Sequence, residues 1–154
     1  MPRNDAPEKI LVVHGPNLNL FGRREPHIYG TMTLEQINER LRTLAAKIQV
    51  QLIIVQSNVE GVLVDSFHKH MDEVAGAVIN PAGLTQFSVS LHDCIKAMPF
   101  PVIEVHMSNI AVREEWRHHS IISSAAKGTV QGLGWRSYTA ALRALVETIR
   151  EPKK

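Results

Sequence analysis

The chain has 154 residues, of which 44% are hydrophobic and 21% are charged, and its formal net charge is +2. This length and composition suit one globular domain and disfavour intrinsic disorder. The charge is too small and too dispersed for a nucleic-acid-binding surface, and no hydrophobic run approaches the roughly 20 residues that a membrane span needs.

The two ends of the chain are polar. Residues 1–8 lack the hydrophobic segment of a signal peptide, and residues 151–154 form a short polar tail, so we expect a single domain over residues 9–150. Cys94 is the only cysteine, which rules out an intrachain disulfide. We therefore expect a reducing, cytoplasmic location.

Short runs rich in Val and Ile alternate with longer segments of helical periodicity. The predicted strands are, in chain order, 9–14, 51–56, 76–81, 101–106 and the weaker 128–133. The predicted helices are 33–49, 59–71, 88–98 and 135–150. Thr33 followed by Gln36 is a capping box, which predicts where the first helix begins.

This alternation predicts an α/β fold, with helices on both faces of an open, doubly wound sheet of five parallel strands. We expect the strand order 2-1-3-4-5 with right-handed crossovers. Ligands of such sheets bind beyond the carboxyl ends of the strands, near the topological switch point. The loops after the first, third and fourth strands should therefore carry the function.

The first of these loops is long and contains an unusual combination of residues. It spans residues 15–32, and within it the stretch GRREPHIYG places Tyr29 near Arg24 between Gly22 and Gly30. A loop of this length is typical of a lid. Taken alone, these are ordinary surface residues; together they predict a phenolate base, Tyr29, that Arg24 keeps ionised in a loop hinged at the glycines.

The other two loops supply an acid and polar contacts. His106 ends the fourth strand and can protonate a leaving hydroxyl, with Glu104 two residues earlier to bias its protonation. Asn17 and Asn80 can hold hydroxyls or a water that stabilises an enolate. The backbone N–H groups of Met107 and Ser108 can hold a carboxylate. These groups describe the elimination of water from a β-hydroxy carbonyl acid, with no metal or organic cofactor.

Simpler interpretations exist for several of these residues. One such interpretation has Arg113 and Arg117 in surface ion pairs with the neighbouring Glu114 and Glu115, which contribute little to stability. A zinc site is disfavoured because the eight histidines show no HExxH or Cys-His spacing. The glycine-bearing stretch HGPNLNLFG matches no nucleotide-binding motif.

Four motifs carry a resemblance to a known family. The stretches GPNLNLFGRREPHIYG, NPAGLTQFSVSLHD, IEVHMSN and REEWRHHS resemble the type II 3-dehydroquinate dehydratases, in order, from about Lys9 to Arg150. The resemblance implies a flavodoxin-like fold and a homododecamer built from trimers. It also implies reversible anti-dehydration of 3-dehydroquinate to 3-dehydroshikimate through an enolate, in the shikimate pathway or in quinate catabolism.

The resemblance also implies roles for individual residues. Tyr29 matches the base, Arg24 the arginine that stabilises the transition state, Asn17 the asparagine that positions a water, and His106 the acid. Asp93 matches an aspartate that reaches the site of a neighbouring subunit. The implied substrate-binding residues are Asn80, Gln86, Asp93, Met107, Ser108 and Arg117, and the supporting residues are Glu104 and Arg113.

Two positions depart from the family pattern. Gln86 stands where histidine is usual, and His14 stands where asparagine is usual. Glutamine still donates and accepts hydrogen bonds but cannot become cationic. We expect an active enzyme. The departures leave two alternatives open, a paralogue that dehydrates a related cyclic hydroxy acid and a non-catalytic sensor of a shikimate-pathway acid.

Overall fold

The computed structural model describes residues 6–154, and five parallel strands form its single sheet. The strands are β1 (Lys9–His14), β2 (Gln51–Gln56), β3 (Gly76–Asn80), β4 (Val102–His106) and β5 (Gly128–Gln131). Their order is β2-β1-β3-β4-β5, as predicted. Strand β3 stops before Pro81 and β4 begins after Pro101, one residue inside each predicted bound, since proline has no N–H for the ladder.

Five α-helices connect or follow the strands. They are α1 (Pro26–Tyr29), α2 (Leu34–Lys47), α3 (Glu60–His70), α4 (Val89–Ala97) and α5 (Arg136–Arg150). The predicted capping box is present: the Thr33 hydroxyl accepts from the Gln36 N–H at 3.2 Å, and the Gln36 side chain accepts from the Thr33 N–H at 2.9 Å. Only the short α1 was not predicted from the sequence.

The core has two halves, one on each face of the sheet. Alternate residues of β1 belong to opposite halves, with Ile10 and Val12 on one face and Leu11 and Val13 on the other. Helices α2 and α5 cover the first face, and α3 and α4 cover the second. Because β1 is buried on both faces, its sequence is a continuous hydrophobic run rather than an alternating one.

The two ends of the domain meet. The Glu8 carboxylate accepts hydrogen bonds from the Arg150 guanidinium at 2.9 and 2.8 Å, and the Glu8 carbonyl accepts from the Gln51 N–H at 2.9 Å. Residues 1–5 of the predicted polar segment 1–8 lie outside the described residues. Over residues 6–154, no helix combines the length and the hydropathy that a membrane crossing requires.

The loops after β1 and β3 are pressed together at the carboxyl edge of the sheet. The Gly15 N–H donates to the Asn80 carbonyl at 2.8 Å, and a Cβ on Gly15 would lie only 2.7 Å from the Pro81 carbonyl oxygen. Only glycine fits such an approach. The contact brings the long first loop over the end of β3, at the switch point between β1 and β3.

Candidate active site

A small, partly open cavity of about 40 Å³ lies at this edge. All three predicted loops contribute to its wall. Nine of the residues singled out from the sequence line it: Arg24, Tyr29, Asn80, Gln86, His106, Met107, Ser108, Arg113 and Arg117.

Tyr29 lies between two guanidinium groups. Arg113 Nη1 donates to the Tyr29 hydroxyl at 3.2 Å and to Ser108 Oγ at 3.0 Å. The guanidinium carbon of Arg24 lies 5.1 Å from the centre of the Tyr29 ring. The sequence pointed to Arg24 as the cation beside this phenol, but the hydrogen bond to the oxygen comes from Arg113.

The loop that carries Tyr29 is folded rather than irregular. Pro26 occupies the first turn of α1, where its missing N–H costs nothing, and Tyr29 ends the helix. Gly22 and Gly30 flank this segment with φ of 89° and 81°, a left-handed region that side chains with a Cβ rarely adopt. Phe21 packs against Tyr29 with ring centres 5.7 Å apart. The two glycines thus set the position of the tyrosine.

His106 is held by a buried carboxylate. Its Nε2 is hydrogen-bonded to Glu104, which also accepts from Ser120 Oγ at 2.9 and 3.1 Å and from Ser123 Oγ at 2.7 Å. Burial opposes ionisation of Glu104, but the bonds from His106 and the two serines outweigh it and keep the pKa of this carboxyl below its ordinary value. A charged Glu104 keeps a proton on Nε2, so Nδ1 is the nitrogen that can exchange a proton with a bound molecule.

Sequence reasoning missed Ser120 and Ser123. They follow Glu104 by 16 and 19 residues, and no spacing rule connects hydroxyls to a carboxylate over such a distance. The only sequence signal was Ser120 itself, at the end of the motif REEWRHHS.

Gln86 and Arg117 form the opposite wall. Gln86 Nε2 donates to the Arg117 carbonyl at 3.1 Å, which leaves Gln86 Oε1 buried and without a partner among the described residues. Arg117 Nε lies 2.8 Å from Glu114 Oε2, close enough for an ion pair but too poorly aligned for a hydrogen bond. The expected pairing with Glu114 thus exists, and Arg117 still lines the cavity.

Asn80 is anchored at the floor of the cavity. Its Oδ1 accepts from the Ala82 N–H at 3.1 Å, and its Nδ2 donates to the Tyr138 hydroxyl at 3.0 Å. Beside it, the Met107 carbonyl accepts from the Gly134 N–H at 3.0 Å, which fixes the chain just after β4. The second Nδ2–H of Asn80 is available to a ligand.

Besides Glu104, which contacts His106, two predicted site residues lie outside the cavity wall that the described residues form. Asn17 is exposed, and its backbone N–H donates to Asn58 Oδ1 at 2.9 Å. Asp93 projects from α4 with 70% of its side chain exposed, and its Oδ1 lies 3.0 Å from His92 Nδ1. A single chain therefore does not bring Asp93 to its own cavity.

His14 lies beneath the cavity rather than in its wall. It is fully buried, with Nδ1 3.0 Å from the Tyr138 hydroxyl and Nε2 2.9 Å from Asn38 Oδ1. Burial lowers the pKa of His14 to about 4, against a smaller opposing effect of the Asn38 hydrogen bond. The hydrogen bonds that connect this departure to the cavity run through Tyr138 to Asn80.

Comparison with known proteins agrees with this geometry. A family model described as dehydroquinase class II matches residues 8–146. The chain belongs to this family. The membership that the four sequence motifs indicated is thereby confirmed.

Relatives of this dehydroquinase cover nearly the whole chain. It is 46% identical over 143 residues to the 3-dehydroquinate dehydratase of Halothermothrix orenii, an alignment that covers 93% of this chain and 97% of that protein. The crystal structure of a type II dehydroquinase from Butyrivibrio crossotus has a TM-score of 0.89 and 34% identity, and covers 91% of this chain and 98% of that one. The crystal structure of a type II dehydroquinase from Propionibacterium acnes has a TM-score of 0.87 and 37% identity, and covers 95% of this chain and 99% of that one. The flavodoxin-like fold is confirmed.

Proposed function

We propose that the chain catalyses the reversible anti-dehydration of 3-dehydroquinate to 3-dehydroshikimate through an enolate. The observation that carries this proposal is the meeting of two groups in one cavity. A tyrosine hydroxyl accepts a hydrogen bond from one guanidinium while a second lies over its ring, and a histidine is held by an ionised carboxylate. Binding an acid requires neither group, whereas eliminating water requires a base and an acid.

The proton-abstraction step belongs to Tyr29. As a phenolate it takes a proton from the carbon next to the ketone. The C–H electron pair forms the carbon–carbon double bond of the enolate, and the carbonyl electron pair moves to the oxygen. Arg113 contacts the phenol oxygen and Arg24 lies over the ring, so both stabilise the charge before the proton is taken. Asn17, near the start of the loop after β1, would hold the water that stabilises the enolate oxygen.

The second step belongs to His106. The enolate collapses to the conjugated enone as the carbon–oxygen bond breaks, and the leaving hydroxyl takes a proton from Nδ1 of His106 to depart as water. Glu104 stabilises the imidazolium that donates this proton. In the reverse direction, the same nitrogen removes a proton from the attacking water.

The remaining wall residues would orient the substrate. Asn80 and the backbone at Met107 and Ser108 suit a carboxylate and its neighbouring hydroxyl. Arg117 and Gln86 suit the hydroxyls on the far side of the ring. Gln86 Oε1 has no partner among the described residues, so it can accept a proton from a substrate hydroxyl.

The test is turnover of 3-dehydroquinate without added metal or cofactor, followed by the ultraviolet absorbance of the enone product. We expect Tyr29→Phe to lower kcat by at least about 100-fold while substrate binding persists, because general base catalysis contributes roughly 10²–10⁴-fold. His106→Gln should also lower kcat. The matched control is His70→Gln, since His70 also contacts a carboxylate but lies at the end of α3. Unchanged kcat in Tyr29→Phe would remove its assignment as the base.

The same assay separates the alternatives. Turnover of a related cyclic hydroxy acid in place of 3-dehydroquinate would favour a paralogue, and Gln86 would be the first residue to exchange for histidine. Saturable binding with no turnover of either would favour a sensor. A cytoplasmic location stays a prediction.

We further propose that the chain forms a homododecamer, a tetramer of trimers, in which Asp93 reaches a neighbouring subunit's site. Asp93 is largely exposed and remote from its own cavity wall. Exposed Phe87 and Val89 precede it, with 69% and 62% of each residue accessible. Hydrophobic side chains grouped in this way suit a contact between copies.

A further inference from the structure

A buried chain of hydrogen bonds runs under the cavity floor from α2 to Asn80. It links Asn38, His14, Tyr138 and Asn80 through contacts of 2.9, 3.0 and 3.0 Å, and all four residues are buried. His14 and Asn80 are register partners on the adjacent strands β1 and β3. The chain thus joins the two strands at the switch point to the helices on one face.

The direction of each hydrogen bond in this chain follows from one backbone donor. The Ala82 N–H can only donate, so the Asn80 atom facing it is Oδ1 and the atom facing Tyr138 is Nδ2. The Tyr138 oxygen therefore accepts from Asn80, and its own proton must find a second partner because the ring is fully buried. That partner is Nδ1 of His14, and the histidine proton then lies on Nε2 and is donated to Asn38 Oδ1.

Two further observations agree with this neutral arrangement. Burial raises the pKa of Tyr138 far above its ordinary value, so the hydroxyl keeps its proton. Burial also keeps His14 in the neutral form that has one donor and one acceptor nitrogen. Every polar atom that the chain joins has a partner of the opposite kind.

We propose that His14 is a positioning residue, which acts through Tyr138 to fix the side-chain amide of Asn80 so that its second Nδ2–H faces the substrate. This inference rests on the proposed function, because Asn80 is assigned there to the substrate carboxylate or its neighbouring hydroxyl. His14 itself touches no substrate.

Steady-state kinetics of single and double variants test whether His14 acts through Tyr138 on Asn80. His14→Leu and Tyr138→Phe should each raise KM by roughly two- to tenfold, the effect of one weakened hydrogen bond, with kcat nearly unchanged. In an Asn80→Ala background the same changes should have no further effect on KM, because the group they position is gone. An equal rise in KM in both backgrounds would overturn the proposal.

A conservative exchange and a stability control sharpen this result. His14→Asn places an oxygen near the position of Nδ1, so it can still accept from Tyr138, and KM should stay within about twofold of the wild type. Phe67→Leu alters a fully buried residue on the other face of the sheet. It should lower stability without changing KM, and a rise in KM there as large as in His14→Leu would show that destabilisation alone is sufficient.

Nuclear magnetic resonance of the wild-type protein, labelled with ¹⁵N, needs neither turnover nor a folded variant. The His14 nitrogen shifts should show a proton on Nε2 and none on Nδ1, and the opposite tautomer would overturn the proposal. If the protein has no dehydratase activity, the proposed function fails and the KM tests cannot be made. The positioning of Asn80 by His14 is then tested by its side-chain amide signals, which should still shift in His14→Leu.

Discussion

The charge state of His14 couples the stability of the protein to pH. In the unfolded chain a histidine has a pKa near 6.5, whereas in the folded protein burial lowers the pKa of His14 to about 4. Between these two values the unfolded state binds a proton that the folded state does not. Stability attributable to this residue is therefore complete above pH 6.5 and is lost progressively as the pH falls towards 4.

We expect this residue to lower the free energy of unfolding by roughly 3 kcal/mol between pH 7 and pH 4. Replacing His14 by Asn should remove that contribution and flatten the pH profile. Urea unfolding followed by circular dichroism at several pH values measures the difference. Glu104 also lowers stability at acidic pH, because its pKa in the folded protein is below the ordinary value. This loss is the same in the wild type and in His14→Asn. Parallel profiles for the wild type and His14→Asn would contradict the prediction.

Sequence reasoning at this scale located residues of the cavity wall. It placed Tyr29 in the loop after β1 and His106 at the carboxyl end of β4, and both line the cavity. It named only Arg24 as the cation beside Tyr29, because residue spacing cannot show that Arg113, 84 residues away, reaches the phenol oxygen. The buried contacts of His14 were equally invisible, since they depend on how α2 and α5 pack on β1.

At the scale of elements, the β strands were predicted well because burial on both faces leaves a strong signal. The four strands with strong patterns agree with the structure to within a residue at each end. Helix α1 was missed because its four residues are too few to show a period of 3.6. The weak strand β5 ends at Gln131, two residues early, because Gly132 follows with a φ of 86°.

The segment from Gly22 to Gly30 should be sensitive to one added methyl group. Gly22 has a φ of 89°, and a Cβ there would lie 3.0 Å from the Thr31 carbonyl oxygen. We expect Gly22→Ala to cost about 1–2 kcal/mol of strain, to shift α1, and to lower kcat/KM for the proposed substrate by about tenfold or more. Urea unfolding and steady-state kinetics measure the two effects.

Gly61→Ala is the matched control. Gly61 lies within α3, and a Cβ there would meet no atom within 4 Å. This change should leave kcat/KM unaltered and stabilise the protein by about 0.5–1 kcal/mol, because alanine favours a helix more than glycine does. Equal kinetics for Gly22→Ala and the wild type would show that the position of Tyr29 does not depend on this glycine.

At the scale of the whole molecule, the proposed assembly makes each site a product of two chains. If Tyr29 acts within its own subunit and Asp93 acts in a neighbour's site, then Tyr29→Phe and Asp93→Ala should each be impaired alone. Unfolding an equal mixture and refolding it should restore about a quarter of wild-type activity, the fraction of sites that combine both intact residues in a cyclic trimer. Light scattering would verify assembly. Activity no greater than the mean of the two variants would place Asp93 outside the shared site.

The strand order and the edge that carries the cavity were predictable, because strand alternation and crossover handedness restrict an open sheet to few arrangements. Assembly was not predictable by the same reasoning. Exposed side chains such as Phe87 and Trp116, 69% and 55% accessible, show no pattern in the sequence that distinguishes a contact surface from ordinary loop residues.

The cavity of about 40 Å³ has a kinetic consequence. A six-carbon ring acid is several times larger than this space, so if the first loop must move aside to admit it, only molecules with a displaced loop are competent to bind. The apparent affinity is then the intrinsic affinity multiplied by the open fraction, and association is slower than diffusion by at least the same factor. Substitutions that only loosen the loop would therefore speed capture of substrate while weakening its retention during the reaction.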